Sequence, residues 1–462
     1  MTRSITFLAL LLLYNPLRPA AQVLTLKDAV NTALANYATI KAKGNYANAS
    51  KATVAQSKRD YLPNLSISAQ QDYGTINGQN GPLYGFGGLG VASSGIPLDH
   101  QNWNAAFGAL YLANFNWDFF AFGRAKEKVR VAQAAFTRDE SDVQQEQFQH
   151  EIRVAAAYLN LLAAQRIIIS QQKNLERADA LRNVVVVRAK NGLIAGVDSS
   201  QANADISNAR IALTRAQDAA QEQANQLAQL MGVPATDFLL DSLFISRIPA
   251  AMDDATKPGL KLHPVLQYYK QRIAVSDEQA KYLRTFNYPA FSFFSVFQTR
   301  GSGFTSGYTQ DQTAYSHDYF KGIEPTRSNY LFGIGATWNL TSPLRVHQQI
   351  RSQKYISQAL QDEYELVDQR LKAQLVLADN KVRNAMSNYN EVPLQVSAAS
   401  DAYRQKSVLY KNGLTNIVEV QQTLYALNRA ETDRDIIYSN VWQALLLKAA
   451  ATGDFGLFIN EF

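Results

Sequence analysis

The sequence predicts a mainly α-helical chain with a membrane β-barrel part, built from two copies of one strand–strand–long helical hairpin unit. Three observations carry this. The tetrapeptide Lys190-Asn191-Gly192-Leu193 returns as Lys411-Asn412-Gly413-Leu414. The same interval separates Trp117 from Trp338, Arg124 from Arg345, Val197 from Val418, Asp198 from Glu419, Gln201 from Gln422 and Gly232 from Gly453. Two stretches far longer than a globular helix lack breakers, and each follows a run that alternates with period two.

Taken in order, residues 1–21 read as a signal peptide. Arg3 supplies the positive start, Ile5 to Tyr14 a short apolar core, and Pro19, Ala20 and Ala21 the small residues before Gln22. Such a run is too short to cross a bilayer of ~30 Å as a helix. The first repeat is placed at 22–247 and the second at 248–462, each expected to run helix, two strands, long helical hairpin. No later stretch of about 18 uninterrupted apolar residues predicts a transmembrane helix.

The strands follow X-Pro signals. After Pro63, Leu65, Ile67 and Ala69 alternate with Ser66, Ser68 and Gln70. The partner run sets Trp103, Ala105, Phe107, Ala109, Tyr111, Ala113, Phe115 and Trp117 on one face. After Pro289 come Phe291, Phe293 and Phe297, opposite Ser292 and Gln298, and then Tyr330, Phe332, Ile334, Ala336 and Trp338 against Gly333, Gly335, Thr337 and Asn339. Segments 74–101 and 299–327 read as long exposed loops. Alternation over about ten residues with aromatic ends marks a membrane β-strand.

Ala125 to Asn191 contains neither Gly nor Pro, and Leu344 to Asn412 is interrupted only by Pro393. Each predicts a helix on the order of 100 Å. Both end where Gly192 and Gly413 can take φ > 0. Shorter arms follow, Val197 to Met231 and Leu414 to Thr452, with Asp198 and Glu419 placed where a carboxylate favours a helix start. Pro393, whose counterpart is Gln172, predicts a kink in the second long arm only.

Composition narrows the function. The chain has no Cys, four Met and a net charge of +6. Scattered basic residues exclude a nucleic-acid partner, and the lack of soft ligands disfavours soft-metal cargo. His100, His150, His263, His317 and His347 show no metal-ligand spacing, and no phosphate loop or nucleophile motif occurs. The chain therefore reads as a non-enzyme without cofactor.

Four strands cannot close a sheet in lipid, where unpaired edges are too costly and barrels need at least ~8 strands. Copies must therefore combine. A dimer would have its interior filled with side chains, whereas three copies give a barrel of about 12 strands with room for water. A homotrimer surrounded by membrane lipid is the expectation.

These features together resemble the TolC-like outer membrane efflux protein family, on the Pro63 and Pro289 strand starts, the Trp117…Arg124 and Trp338…Arg345 junctions, and the two tip sequences. The resemblance implies a trimeric barrel in the outer membrane of a Gram-negative cell, continuous with an α-helical barrel in the periplasm. It also implies an exit duct for a tripartite efflux system, served by a periplasmic adaptor protein and an inner-membrane pump. The helix near Thr25 to Asp60 and segment 233–262 would add a belt. The tips, with Gly192, Leu193, Asp198, Gly413 and Leu414, would form the gate. Glu419 and Asp198 fall on the family's acidic ring, a further acid is replaced by Gln422, and Thr415 stands where a basic locking residue is common. A type I protein secretion duct and a non-channel coiled-coil scaffold are the alternatives.

Overall fold

The computed structural model describes residues 23–78, 85–86, 89–90, 96–242, 247–250 and 262–462. The signal segment, part of the first long loop and part of segment 233–262 lie outside the described residues. The chain divides into two compact units that do not follow the repeats. One comprises residues 1–48, 137–273 and 359–462, the other 49–136 and 274–358.

The smaller unit is organised by one antiparallel sheet of β1 (Asn64–Thr75), β2 (Ala105–Phe120), β3 (Ala290–Ser302) and β4 (Arg327–Thr337), in that spatial order. Register decides what the alternation means. Ile67 pairs with Ala113, Ala113 with Phe297, and Phe297 with Tyr330. One step along, Leu65, Phe115, Ser295 and Phe332 line up. Because side chains alternate across a strand, all four apolar sets share one face. Ser66, Asn114, Gln298 and Asn329 share the other with some aliphatics and Phe294. On the apolar face Ile67 is 83% and Ile334 70% exposed. β1 and β4 each have one neighbour, so both outer edges are unpaired within the chain.

The second loop departs from expectation, because it is folded. Phe304 bridges to Tyr315, and Tyr308 is buried against both rings. The one-turn helix α6 (Tyr319–Ile323) is capped by Asp318, whose carboxylate accepts the Lys321 N–H at 2.8 Å. A Cβ on Gly322 would lie 2.4 Å from that of Phe107, so glycine lets the turn lie directly on β2. Aromatic burial and close backbone approach hold this segment down.

The larger unit is helical. Its helices are α1 (Leu26–Asn36) and parts of α2 (Ala38–Arg59), α3 (Arg124–Lys190), α5 (Pro264–Arg284) and α7 (Ser342–Lys411). It also holds all of α4 (Gly196–Met231), α8 (Ile417–Thr452) and α9 (Gly456–Ile459). Its main core draws Leu26 and Val30 from α1, Tyr158 and Leu162 from α3, Leu227 from α4, Val382 from α7, Trp442 and Leu445 from α8 and Phe458 from α9. α3 holds a window apolar and long enough to cross a membrane, which counting uninterrupted runs did not reveal. Its buried Val154, Ala155, Tyr158, Leu159 and Leu161 make it a core segment instead.

α4 and α8 both stop at a left-handed glycine, Gly232 at φ 65° and Gly453 at φ 78°. A buried histidine binds each end. His150 Nε2 lies 2.9 Å from the Leu230 carbonyl, and His263 Nε2 lies 3.1 Å from that of Ala450. Burial lowers both imidazole pKa values. α7 continues through Pro393. The ring removes the donor that the Tyr389 carbonyl would have used, so any bend is confined to that turn.

Candidate functional site

The tip turns are built alike. Gly192 stands at φ 70° with its N–H to Ala189, and the Leu193 N–H reaches the Arg188 carbonyl at 2.9 Å. Gly413, at φ 77°, bonds Tyr410 while Leu414 bonds Leu409 at 2.9 Å. This is the closing pattern of a helix that ends in a left-handed residue. Leu193 and Leu414 project outward, 66% and 72% exposed.

The helices after the turns start differently. α4 has Ala195 at its cap with no side-chain bond, and Asp198 lies in its first turn. At α8, the Asn416 side chain accepts the Glu419 N–H at 3.0 Å. The Glu419 carboxylate accepts from Thr415 Oγ1 at 2.8 Å and from Lys406 Nζ. The Lys406 ammonium, then the Thr415 hydroxyl, hold its pKa below the usual range. Thr415, expected as a missing basic residue, therefore orients an acid whose cation comes from α7. Gln422 is exposed.

Four helices meet beneath these turns. Val185, Ala202, Tyr410, Ile417 and Val420 form a small buried cluster. Arg188 donates to the Tyr410 carbonyl and places its guanidinium 5.0 Å from the Tyr410 ring centre. Burial raises the Tyr410 phenol pKa, with Arg188 opposing and Asp198 adding to the shift. Asp205 on α4 accepts from Gln421 and, at 2.7 Å, from the Tyr425 hydroxyl of α8. Burial and the Asp205 bond push that phenol to about 12.

Further along, Arg177 pairs with Glu431, one contact at 3.2 Å, and Ser170 donates to Asp435 at 2.6 Å. Tyr410, Arg188, Lys406 and Asp205 were missed from sequence. At the repeat interval they face Ala189, Leu409, Val185 and Ala426. Searching for matched residues hid them; a polar residue opposite an apolar counterpart was the available signal.

The strand-to-helix junctions belong to the smaller unit. Trp117 Nε1 donates to the Tyr61 carbonyl at 2.8 Å, and Trp338 Nε1 to that of Asn287 at 3.2 Å. Each indole thus fastens the end of a strand pair to the chain entering it. Tyr61 returns its hydroxyl to the Phe119 carbonyl at 2.8 Å. The arginines differ. Arg124 lies 4.5 Å over the Phe286 ring and donates to the Tyr288 carbonyl, whereas Arg345 is exposed and, among the described residues, reaches Thr341. Among the described residues no acid–histidine cluster could hold a metal.

The sequence of residues 29–233 matches the model of the outer membrane efflux protein family. No curated protein matches the chain by sequence. Among solved structures, the outer membrane protein VceC from Vibrio cholerae is similar at 16% identity and TM-score 0.73, over 93% of this chain and 96% of that one. The CmeC outer membrane channel of Campylobacter jejuni is similar at 13% identity and TM-score 0.72, over 93% and 85%. The open state of the MtrE outer membrane channel of Neisseria gonorrhoeae gives 15% identity and TM-score 0.69, over 93% and 89%. The first half of this chain carries the outer membrane efflux protein signature, and nearly its whole length has the fold of the TolC-like outer membrane channels.

Proposed function

We propose that the chain is the outer membrane exit duct of a tripartite efflux or secretion system, a passive conduit and not an enzyme. The sheet carries this reading. One face is apolar and aromatic across all four strands, the other is largely polar, and both edges are open. Backbone groups at such edges cannot be left in lipid, so copies of the chain must complete the sheet. Three copies give about 12 strands around a wet lumen. The parallel order of elements in 22–247 and 248–462 supports a duplicated unit. The relatives' setting supports an outer membrane location reaching into the periplasm, with an adaptor and a pump as partners.

In this reading the tips around Gly192 and Gly413 form the periplasmic gate, with Asp198 and Glu419 as its acids. The test is conductance of detergent-extracted protein in a planar bilayer, with mass measured in the same detergent. A trimeric mass with gated openings is expected. A protein that is monomeric and soluble without detergent, and that does not conduct, would leave the coiled-coil scaffold instead.

A further inference from the structure

From the geometry we infer that the β2-to-α3 junction holds a binding site for an anionic glycerophospholipid of the leaflet next to the helices. The inference rests on the membrane reading of the sheet. A half-open cavity of about 400 Å³ lies at this junction, and Lys58, Tyr61, Phe119, Phe120, Arg124 and Lys126 contribute to its wall. It therefore combines three cations with aromatic surface, the chemistry that suits a phosphodiester carrying acyl chains.

The charge balance selects an anion. Neighbouring acids are already engaged: Asp60 pairs with Lys128 at 2.6 Å and Glu127 with Arg130 at 2.7 Å. Asp118, also on the wall, accepts only the neutral Ser292 hydroxyl and keeps its charge, so the three cations of the wall outnumber its one carboxylate. Lys58 and Lys126 are exposed and form no ion pair among the described residues. Arg124 is spent on Phe286 and a backbone carbonyl, so its charge has no carboxylate partner there.

The apolar side is continuous with the sheet. Phe120 pairs with Phe291 past the irregularity at Trp117, and its ring lies 4.8 Å from that of Phe122, which stacks on Tyr288. Such an aromatic girdle marks the level of the headgroups. Lysines beside it can lay their stems on apolar surface while the ammonium groups reach phosphate. Phe122 has a positive φ of 46° and is followed by Gly123 at 84°, so the chain turns sharply out of the strand at this point. That turn opens the cavity between the strand end and the first turns of α3.

The test compares the full chain with Lys58→Gln/Lys126→Gln. Both are extracted in detergent and offered equal phosphatidylglycerol and phosphatidylcholine, and retained lipid is counted by native mass spectrometry. The unaltered protein is expected to prefer phosphatidylglycerol, with excess inorganic phosphate making no difference. The double variant should lower that preference at least about fivefold, and Lys58→Arg/Lys126→Arg should restore it. Equal retention of both lipids by the unaltered protein, or undiminished preference in the Gln variant, would overturn the site. Displacement by inorganic phosphate would replace the lipid with a simple anion. Conductance of the same samples separates the two readings. Channels without lipid preference remove only this site, whereas no channels and no insertion remove the duct as well.

Discussion

Glu419 shows how a single residue's role depends on its neighbours. Its position marked it as a bare acid at a gate, yet it bonds Lys406, Thr415 and, through its N–H, Asn416. Since its folded pKa is depressed, what it adds to the tip is present above its unfolded value and disappears as pH falls through the folded one. Lys406→Met should raise the Glu419 pKa toward the ordinary range, as read by carboxyl NMR titration. It should also increase the cation preference of single channels, as read by the reversal potential. Glycine 413 is fixed by its backbone. A β-branched residue at φ 77° costs roughly 1–2 kcal/mol, so Gly413→Val should lower Tm and alter channel opening. Gly453→Ala should cost more, because its Cβ would fall 2.7 Å from His263 Cδ2 at φ 78°; denaturant melts of the two variants test the order.

Helices and strands were the most legible level. Breaker-free runs gave α3, α4, α7 and α8, and the alternating runs gave all four strands, because periodicity is local. Register was not local, and only the pairing shows that four separately read apolar sets lie on one face. The folded turn around Tyr308 and Tyr319 was also hidden, since Gly- and Tyr-rich composition resembles that of a solvated loop until its rings find each other. Pro393 was expected to kink α7, and the helix runs on through it as one element from Ser342 to Lys411. Pro393→Ala should restore a helical bond to the Tyr389 carbonyl and stabilise that turn by up to ~3 kcal/mol. Slower amide exchange at the residues flanking position 393, which itself has no N–H in the unaltered chain, is the measurement; unchanged exchange there would mean neighbouring helices already fix the turn.

For the whole molecule, the exposed apolar sheet face decides the setting. In lipid, Phe332→Lys at the middle of β4 should cost ~2–4 kcal/mol and reduce assembly into liposomes. Ser68→Lys, on the polar face, should insert normally and change conductance instead. Equal insertion defects in both variants would contradict the assignment of faces. The candidate site was partly legible for a related reason. Repetition exposed the turns and junctions, but the cross-links among helices use residues unlike their counterparts, such as Arg188 against Leu409.

Those cross-links also govern how the chain can be made. Arg177 must find Glu431, 254 positions away, and Ser170 must find Asp435, 265 away. The core joins Leu26 to Phe458, with the fully buried Trp442 in the final long helix. Delivered from its amino terminus, the chain cannot complete that core until its last residues arrive. High contact order of this kind slows folding and leaves apolar surface uncovered meanwhile. The first half therefore keeps apolar surface uncovered until α8 is made, and a truncation just before α8 should leave an aggregating fragment instead of a half-sized channel.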